Sequence, residues 1–126
     1  PQKGQMIKAR TTEEFDNSFS WGRDYATKKI DGYIWIGTTE ERVDFQEGST
    51  EEAKDQILNS FKVTFSGFSD LDIKEQTACF RPYTNRNQPI LKKSSEIEGI
   101  YIGTGAGRNG IKLGPGMGKR LSDMIF

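Results

Sequence analysis

The sequence predicts an α+β fold, a mostly antiparallel sheet with one amphipathic helix packed on it and a strand and helix at the C-terminal end. Three observations predict it: a hairpin pattern around Asp31-Gly32, a single apolar stripe at helical spacing over residues 53–61, and β-rich segments on both sides of that stripe. At 126 residues the chain amounts to one domain or a piece of a larger one. With 33% hydrophobic and 29% charged residues, its composition is that of a globular chain, neither disordered nor membrane-spanning.

Gly4 to Ala9 alternates enough for a strand, and a loop rich in Thr, Glu, Asp and Ser follows. Residues 23–29 and 33–38 read as a hairpin, because Tyr33, Ile34, Trp35 and Ile36 are strong strand formers and Asp31-Gly32 supports a tight reversal. The unbroken apolar run at 33–36 suggests a strand covered on both faces. Ser49 with Glu52 three positions later forms a capping box that opens an amphipathic helix over 50–61, with Ala53, Ile57, Leu58 and Phe61 as its core stripe. Residues 72–82 read as a strand that ends at Arg81, where Pro82 stops ladder hydrogen bonding. Gly99 to Gly103 reads as a short buried strand, and Leu113, Met117, Leu121 and Ile125 mark one face of a final helix with Pro115 in its first turn.

Function is constrained mainly by what the chain lacks. It contains no histidine and a single cysteine, Cys79, so a Ser-His-Asp triad, a Cys-His pair and a zinc site of the usual composition are all excluded. Neither a catalytic side chain nor a metal ligand set is identified. Cys79, flanked by Ala78 and Phe80, reads as a small buried hydrophobe, and the lack of disulfide potential fits a reducing cytoplasm. Charge balances at 18 basic and 18 acidic residues, yet residues 1–80 carry 10 basic and 15 acidic side chains and residues 81–126 carry 8 and 3. The C-terminal part is therefore the anion-binding one. Its cations neither share a periodic face nor interleave with aromatics, which argues against nucleic acid. No apolar run approaches the roughly 18 residues of a membrane helix.

Two arginines stand beside tight glycine turns, Arg81 before Pro82-Tyr83-Thr84 and Arg108 inside Gly105-Ala106-Gly107-Arg108-Asn109-Gly110. A guanidinium holds a carboxylate or phosphate through two parallel bonds, as an ammonium does not; the same residues also suit surface ion pairs. The second segment matches G-x-G-x-x-G, but only 16 residues follow Gly110, too few for a dinucleotide-binding βαβ unit. Two readings stay open there: backbone N–H groups aimed at an electron-rich group, or a turn that needs positive φ and holds no ligand.

Four segments in order resemble the C-terminal part of the D-amino acid oxidase superfamily of FAD-dependent oxidoreductases, nearest its glycine oxidase and sarcosine oxidase branch. They are the Gly4-Gln5 strand, the hairpin from Tyr25 to Gly37-Thr38-Thr39-Glu40, Phe80-Arg81-Pro82-Tyr83-Thr84 with Pro89-Ile90-Leu91, and Ile100 through Gly105 on to Arg108-Asn109-Gly110-Ile111, Leu113, Pro115 and Gly118. The resemblance implies that residues 1–92 form a substrate-binding domain and that 93–126 form a closing strand-turn-helix that belongs with the flavin-binding domain. It implies substrate contacts from Arg81, Tyr25 and Arg108, and non-covalent FAD contacts from Gly105, Gly107, Arg108, Asn109, Gly110 and Ile111. It further implies hydride transfer from an amino acid or related amine to flavin, giving an imine that hydrolyses. Asn85-Arg86-Asn87, Lys92 and Ala106 depart from the family pattern, and Cys79 is misplaced for a covalent flavin link.

The family's N-terminal nucleotide-binding region is missing from this sequence. The chain is therefore expected to be a fragment, inactive alone, that binds FAD only with that domain or a separate subunit; the apolar face of its last helix is expected to be exposed, recruited into a homo-oligomer, or folded back. The alternatives are a non-catalytic binding or assembly module, and a flavin dehydrogenase for a hydroxyl substrate such as glycerol 3-phosphate.

Overall fold

A computed structural model describes the chain from Pro1 to Phe126 apart from Ser69 and Asn87. Two compact units are present, Lys3–Cys79 and a second one made of Phe80–Phe126 with Pro1–Gln2. The two compact units divide between Cys79 and Phe80, whereas the sequence reading sets its boundary after residue 92.

The first unit is built on an antiparallel sheet. Its strands are β1 (Gln2–Arg10), β2 (Ser18–Trp21), β3 (Asp24–Lys28), β4 (Ile34–Gly37) and β5 (Asp72–Arg81), in the order β2-β3-β4-β1-β5. The hairpin expected around Asp31-Gly32 is present: Lys29 N–H donates to the Tyr33 carbonyl at 2.8 Å, and Gly32 takes the positive φ of 78° that the reversal needs. Strand β2 lies in the segment expected to be loop. It forms because Gly22 turns the chain back at φ 57° and lets Phe19 pair with Ala26 and Trp21 with Asp24; the local signal was the alternation Phe19-Ser20-Trp21 before that glycine.

Strand alternation separates the two faces of this sheet. Ile7 opposite Ile36, Ala9 opposite Ile34, and Ala26 point to one side and are buried there. Helix α1 (Glu51–Thr64) covers that side with Ala53, Ile57 and Phe61 buried and Leu58 half-buried, as its period predicts. An edge-to-face group of Phe15, Phe65 and Phe68 with Trp21 and Phe61 closes one end of the core. The other face carries Met6, Lys8, Tyr25, Thr27 and Trp35. Tyr33 and Trp35 are accordingly only half-buried, so β4 is covered fully on one face and partly on the other.

The helix cap differs from expectation by one residue. Thr50, not Ser49, is the N-cap, with its hydroxyl accepting from Ala53 N–H, and the helix runs three residues past Phe61. Tertiary bonds choose between the two: Thr50 N–H donates to Gln5 Oε1 at 2.8 Å, and the Thr50 carbonyl accepts from Gln76 Nε2 at 2.8 Å.

In the second unit, β6 (Ile90–Lys93) and β7 (Tyr101–Thr104) form a two-stranded antiparallel ribbon. A 3₁₀ turn at Gly107–Asn109 leads directly into α2 (Gly110–Ile125). Strand β7 is half-buried with Gly103 exposed, not the buried strand expected, because only one neighbouring strand and α2 cover it. Pro115 is the sixth residue of α2 rather than in its first turn, since the 3₁₀ turn starts the helix at Gly110. No residue of α2 is buried; Ile111 and Phe126 are 95% and 102% exposed. Among the described residues no helix is long and apolar enough to cross a membrane.

Candidate functional site

The sequence places Arg81 on the last residue of β5, and the structure ties the residues after it to the glycine turn. The Pro82 carbonyl accepts Gly107 N–H at 2.8 Å, and Tyr83 bridges Ala106 in antiparallel fashion. The segments carrying Arg81 and Arg108 are thus one residue either side of a shared hydrogen bond. Arg81 is half-buried, and Arg108 is exposed at the centre of the 3₁₀ turn.

Two glycines make this lacing possible. Gly105 and Gly107 have φ of 81° and 56°, in the left-handed region that side chains resist. A Cβ on Gly105 would also collide with Thr84 Cγ2, and that methyl is held because Thr84 Oγ1 donates to the Gln88 carbonyl at 2.6 Å and accepts from Gln88 N–H at 3.2 Å. Gly110 has φ −52° and ψ −46°, ordinary helix, so its place in the G-x-G-x-x-G spacing is not a demand of backbone conformation.

Beside this lacing lies a cleft of about 370 Å³, with the backbone of Gly103 to Ala106 on one wall and Gly110, Gly114 and Gly118 of α2 on the other. The last three, four residues apart, present bare backbone; a Cβ at any of them would meet nothing within 4 Å. Their spacing was visible in the sequence, although only Gly110 was singled out there. No side chain caps the start of α2, and its first turn carries no acidic residue to offset the positive end of its dipole. This chemistry fits one side of a planar, electron-rich ring such as a flavin. Of the expected cofactor contacts, Gly105 and Gly107 shape the loop, Gly110 lines the cleft, Arg108 and Asn109 lie in the 3₁₀ turn, and the Ile111 side chain is exposed.

Tyr25 belongs to the first unit. On the sheet face opposite α1, its hydroxyl donates to Met6 Sδ at 3.1 Å and lines a pocket of about 270 Å³ with Met6, Thr27, Lys29 and Trp35. The period-2 alternation from Tyr25 through Thr27 to Lys29 was the signal for the last two. Cys79 is exposed, not buried, because strand alternation turns it to the opposite face from its half-buried neighbours Ala78 and Phe80. Among the described residues no group of three His, Cys, Asp or Glu side chains could hold a metal. Asp31, in the hairpin turn, has a clear pKa displacement: the Tyr33 N–H bonded to it holds its carboxyl below the ordinary value, burial opposes this, and Lys8 adds to the lowering.

A family model described as DAO, FAD dependent oxidoreductase, matches residues 1–124. A glycine oxidase of Pseudomonas aeruginosa is 30% identical to the chain over 99% of it and 35% of its own length. Among solved structures, an iminodiacetate oxidase from Chelativorans superposes with a TM-score of 0.85 at 26% identity, and a glycine oxidase from Bacillus cereus with 0.82 at 28%. Each covers 99% of this chain and 35% of the solved one. The chain thus spans about a third of the length of the relatives it matches.

Proposed function

The chain belongs to the DAO family of FAD dependent oxidoreductases, and from that premise we propose that it supplies the substrate-binding region and closing flavin-contact segment of an enzyme that oxidises an amino acid or related amine. The observation that carries this reading is the hydrogen bond from Gly107 N–H to the Pro82 carbonyl, with the Tyr83–Ala106 bridge beside it. It joins a strand end bearing a guanidinium fork to a glycine turn bearing a second one, at the edge of a glycine-rich cleft.

In this reading Arg81 grips the substrate carboxylate through two parallel N–H donors. Arg108 adds positive charge at the mouth of α2, and Tyr25, in the first unit, is the further substrate contact that the family resemblance implies. Gly105, Gly107 and Gly110 bring backbone close to the ring, while Asn109 and Ile111 flank it. When bound, non-covalently, FAD accepts the hydride from the substrate α-carbon, which is chemistry the side chains of this protein do not offer. The proteins named above as glycine and iminodiacetate oxidases support an amine bearing a carboxylate as the substrate class.

The test is to replace the corresponding third of the Pseudomonas aeruginosa glycine oxidase with this chain, load FAD, and titrate glycine, sarcosine and D-alanine without oxygen. Bleaching of the flavin absorbance by at least one amine is expected. Arg81→Ala should then lower kcat/KM by about 10²- to 10³-fold, the loss of a bidentate charge-assisted contact; Tyr25→Phe should cost about tenfold. Bleaching by glycerol 3-phosphate and no amine would move the assignment to a hydroxyl substrate. A loaded flavin that nothing bleaches would leave a binding or assembly module.

A further inference from the structure

The start of β1 brings a polar side chain to the glycine turn. Gln2 belongs to the same compact unit as Arg81, Arg108 and that turn, and it is only 7% exposed. Its Oε1 lies beside Gly107, 4.0 Å from where a Cβ on that glycine would stand. Among the described residues its carboxamide has no hydrogen-bond partner. Wholly buried side-chain nitrogens and oxygens among those residues all have one, so the small exposed part of Gln2 is its amide end. Packing thus holds the stem and leaves the polar tip open beside Gly107, at a cost in rotamer entropy that no hydrogen bond among the described residues offsets.

A carboxamide presents a donor and an acceptor side by side in one plane. A carboxylate offers acceptors only, so it suits the guanidinium forks of Arg81 and Arg108 and would set one of its oxygens against Gln2 Oε1. The pyrimidine ring of a flavin instead alternates carbonyl and imide N–H along its edge, and a carboxamide pairs with that alternation through two hydrogen bonds. Ala106 and Gly110, on either side of Gly107 in the chain, line the cleft whose backbone walls fit one side of such a ring. We propose that Gln2 is a further cofactor-contact residue, whose carboxamide hydrogen-bonds a carbonyl and the imide N–H of the flavin's pyrimidine edge beside Gly107. The proposal rests on the flavin reading above and deepens it. Donation from Nε2 to a ring carbonyl also favours the reduced ring, on which negative charge gathers.

The test measures cofactor binding and potential rather than turnover. The hybrid glycine oxidase carrying this chain is compared with its Gln2→Leu and Gln2→Glu variants, each apoprotein being titrated with FAD while quenching of flavin fluorescence is followed. Gln2→Leu should raise the FAD dissociation constant about fivefold or more, the effect of one net hydrogen bond. With N3-methylated FAD, whose imide no longer donates, parent and Gln2→Leu should bind alike. Gln2→Glu keeps the size of the side chain and loses its donors, so it should lower the two-electron midpoint potential by about 30 mV, a tenfold shift toward the oxidised form. An unchanged dissociation constant in Gln2→Leu, an unchanged potential in Gln2→Glu, or a Gln2 dependence that survives N3-methylation overturns the proposal. Gln2-dependent FAD binding together with a flavin that no amine bleaches would sink amine oxidation and leave the contact standing; bleaching by amines with no dependence on Gln2 would do the reverse.

Discussion

Replacing Gln5 by leucine should remove a large share of the stability of the first unit. Gln5 is fully buried, and its carboxamide joins four elements. Its Nε2 donates to both Glu41 oxygens at 2.9 and 3.2 Å and to Thr50 Oγ1 at 3.3 Å; its Oε1 accepts from Thr50 N–H at 2.8 Å and Gln76 Nε2 at 3.2 Å. Leucine keeps most of the volume and deletes every one of these bonds. Orphaning the Thr50 N–H costs about 1–3 kcal/mol, and withdrawing a donor from a carboxylate about 1.5–3 kcal/mol. Two partners are cushioned, because Glu41 retains the Thr39 hydroxyl and Gln76 retains the Thr50 carbonyl. The net expectation is therefore about 3 kcal/mol, a substantial fraction of the 5–15 kcal/mol of a typical domain. In urea unfolding, with a slope of roughly 1–3 kcal/mol per molar, the midpoint should fall by about 1–3 M with the slope unchanged. A fall below about 0.5 M would refute the view that this carboxamide holds the strand, the Thr39–Glu41 loop and the helix cap together.

Gly105→Ala should destabilise the chain by about 2–4 kcal/mol, from the left-handed φ and the collision with a pinned Thr84 methyl, whereas Gly110→Ala, helical and facing open space, should stabilise it by about 1 kcal/mol while narrowing the cleft; thermal unfolding of both variants separates the two roles. Thr50→Ala should cost about 1–2 kcal/mol and Ser49→Ala under about 0.5 kcal/mol, and comparable losses in the two urea midpoints would return the cap to Ser49. Because the folded pKa of Asp31 is lowered, its contribution is present above the ordinary aspartate value of about 4 and lost as pH falls through the lowered value. The Tm difference between the parent and Asp31→Asn should accordingly be visible near neutrality and vanish in strong acid; a difference that persists there would show that Asp31 acts through something other than its charge.

Legibility followed the range of the interactions involved. The β3–β4 hairpin, the stripe of α1 and the arrival of β5 at Arg81 were readable because strand period, helix period and turn chemistry act over a few residues. The glycines at 105 and 107 were readable as turns for the same reason. Cys79 was misplaced because its neighbours Ala78 and Phe80 suggest a core, while strand alternation sets Cys79 on the opposite face from them.

By itself, then, the sequence determined the α+β class, most of the strands, the one core helix and the family motifs around Tyr25, Arg81 and Arg108, all encoded in local pattern. Tertiary structure decided the rest. It moved the cap to Thr50 through Gln5 and Gln76, made β2 and β6 by giving them partners, opened α2 five residues before Pro115, and set the division at 79/80. Each of these depends on hydrogen bonds or packing between residues far apart in the chain, whose free energy exceeds the small local preferences that a sequence displays.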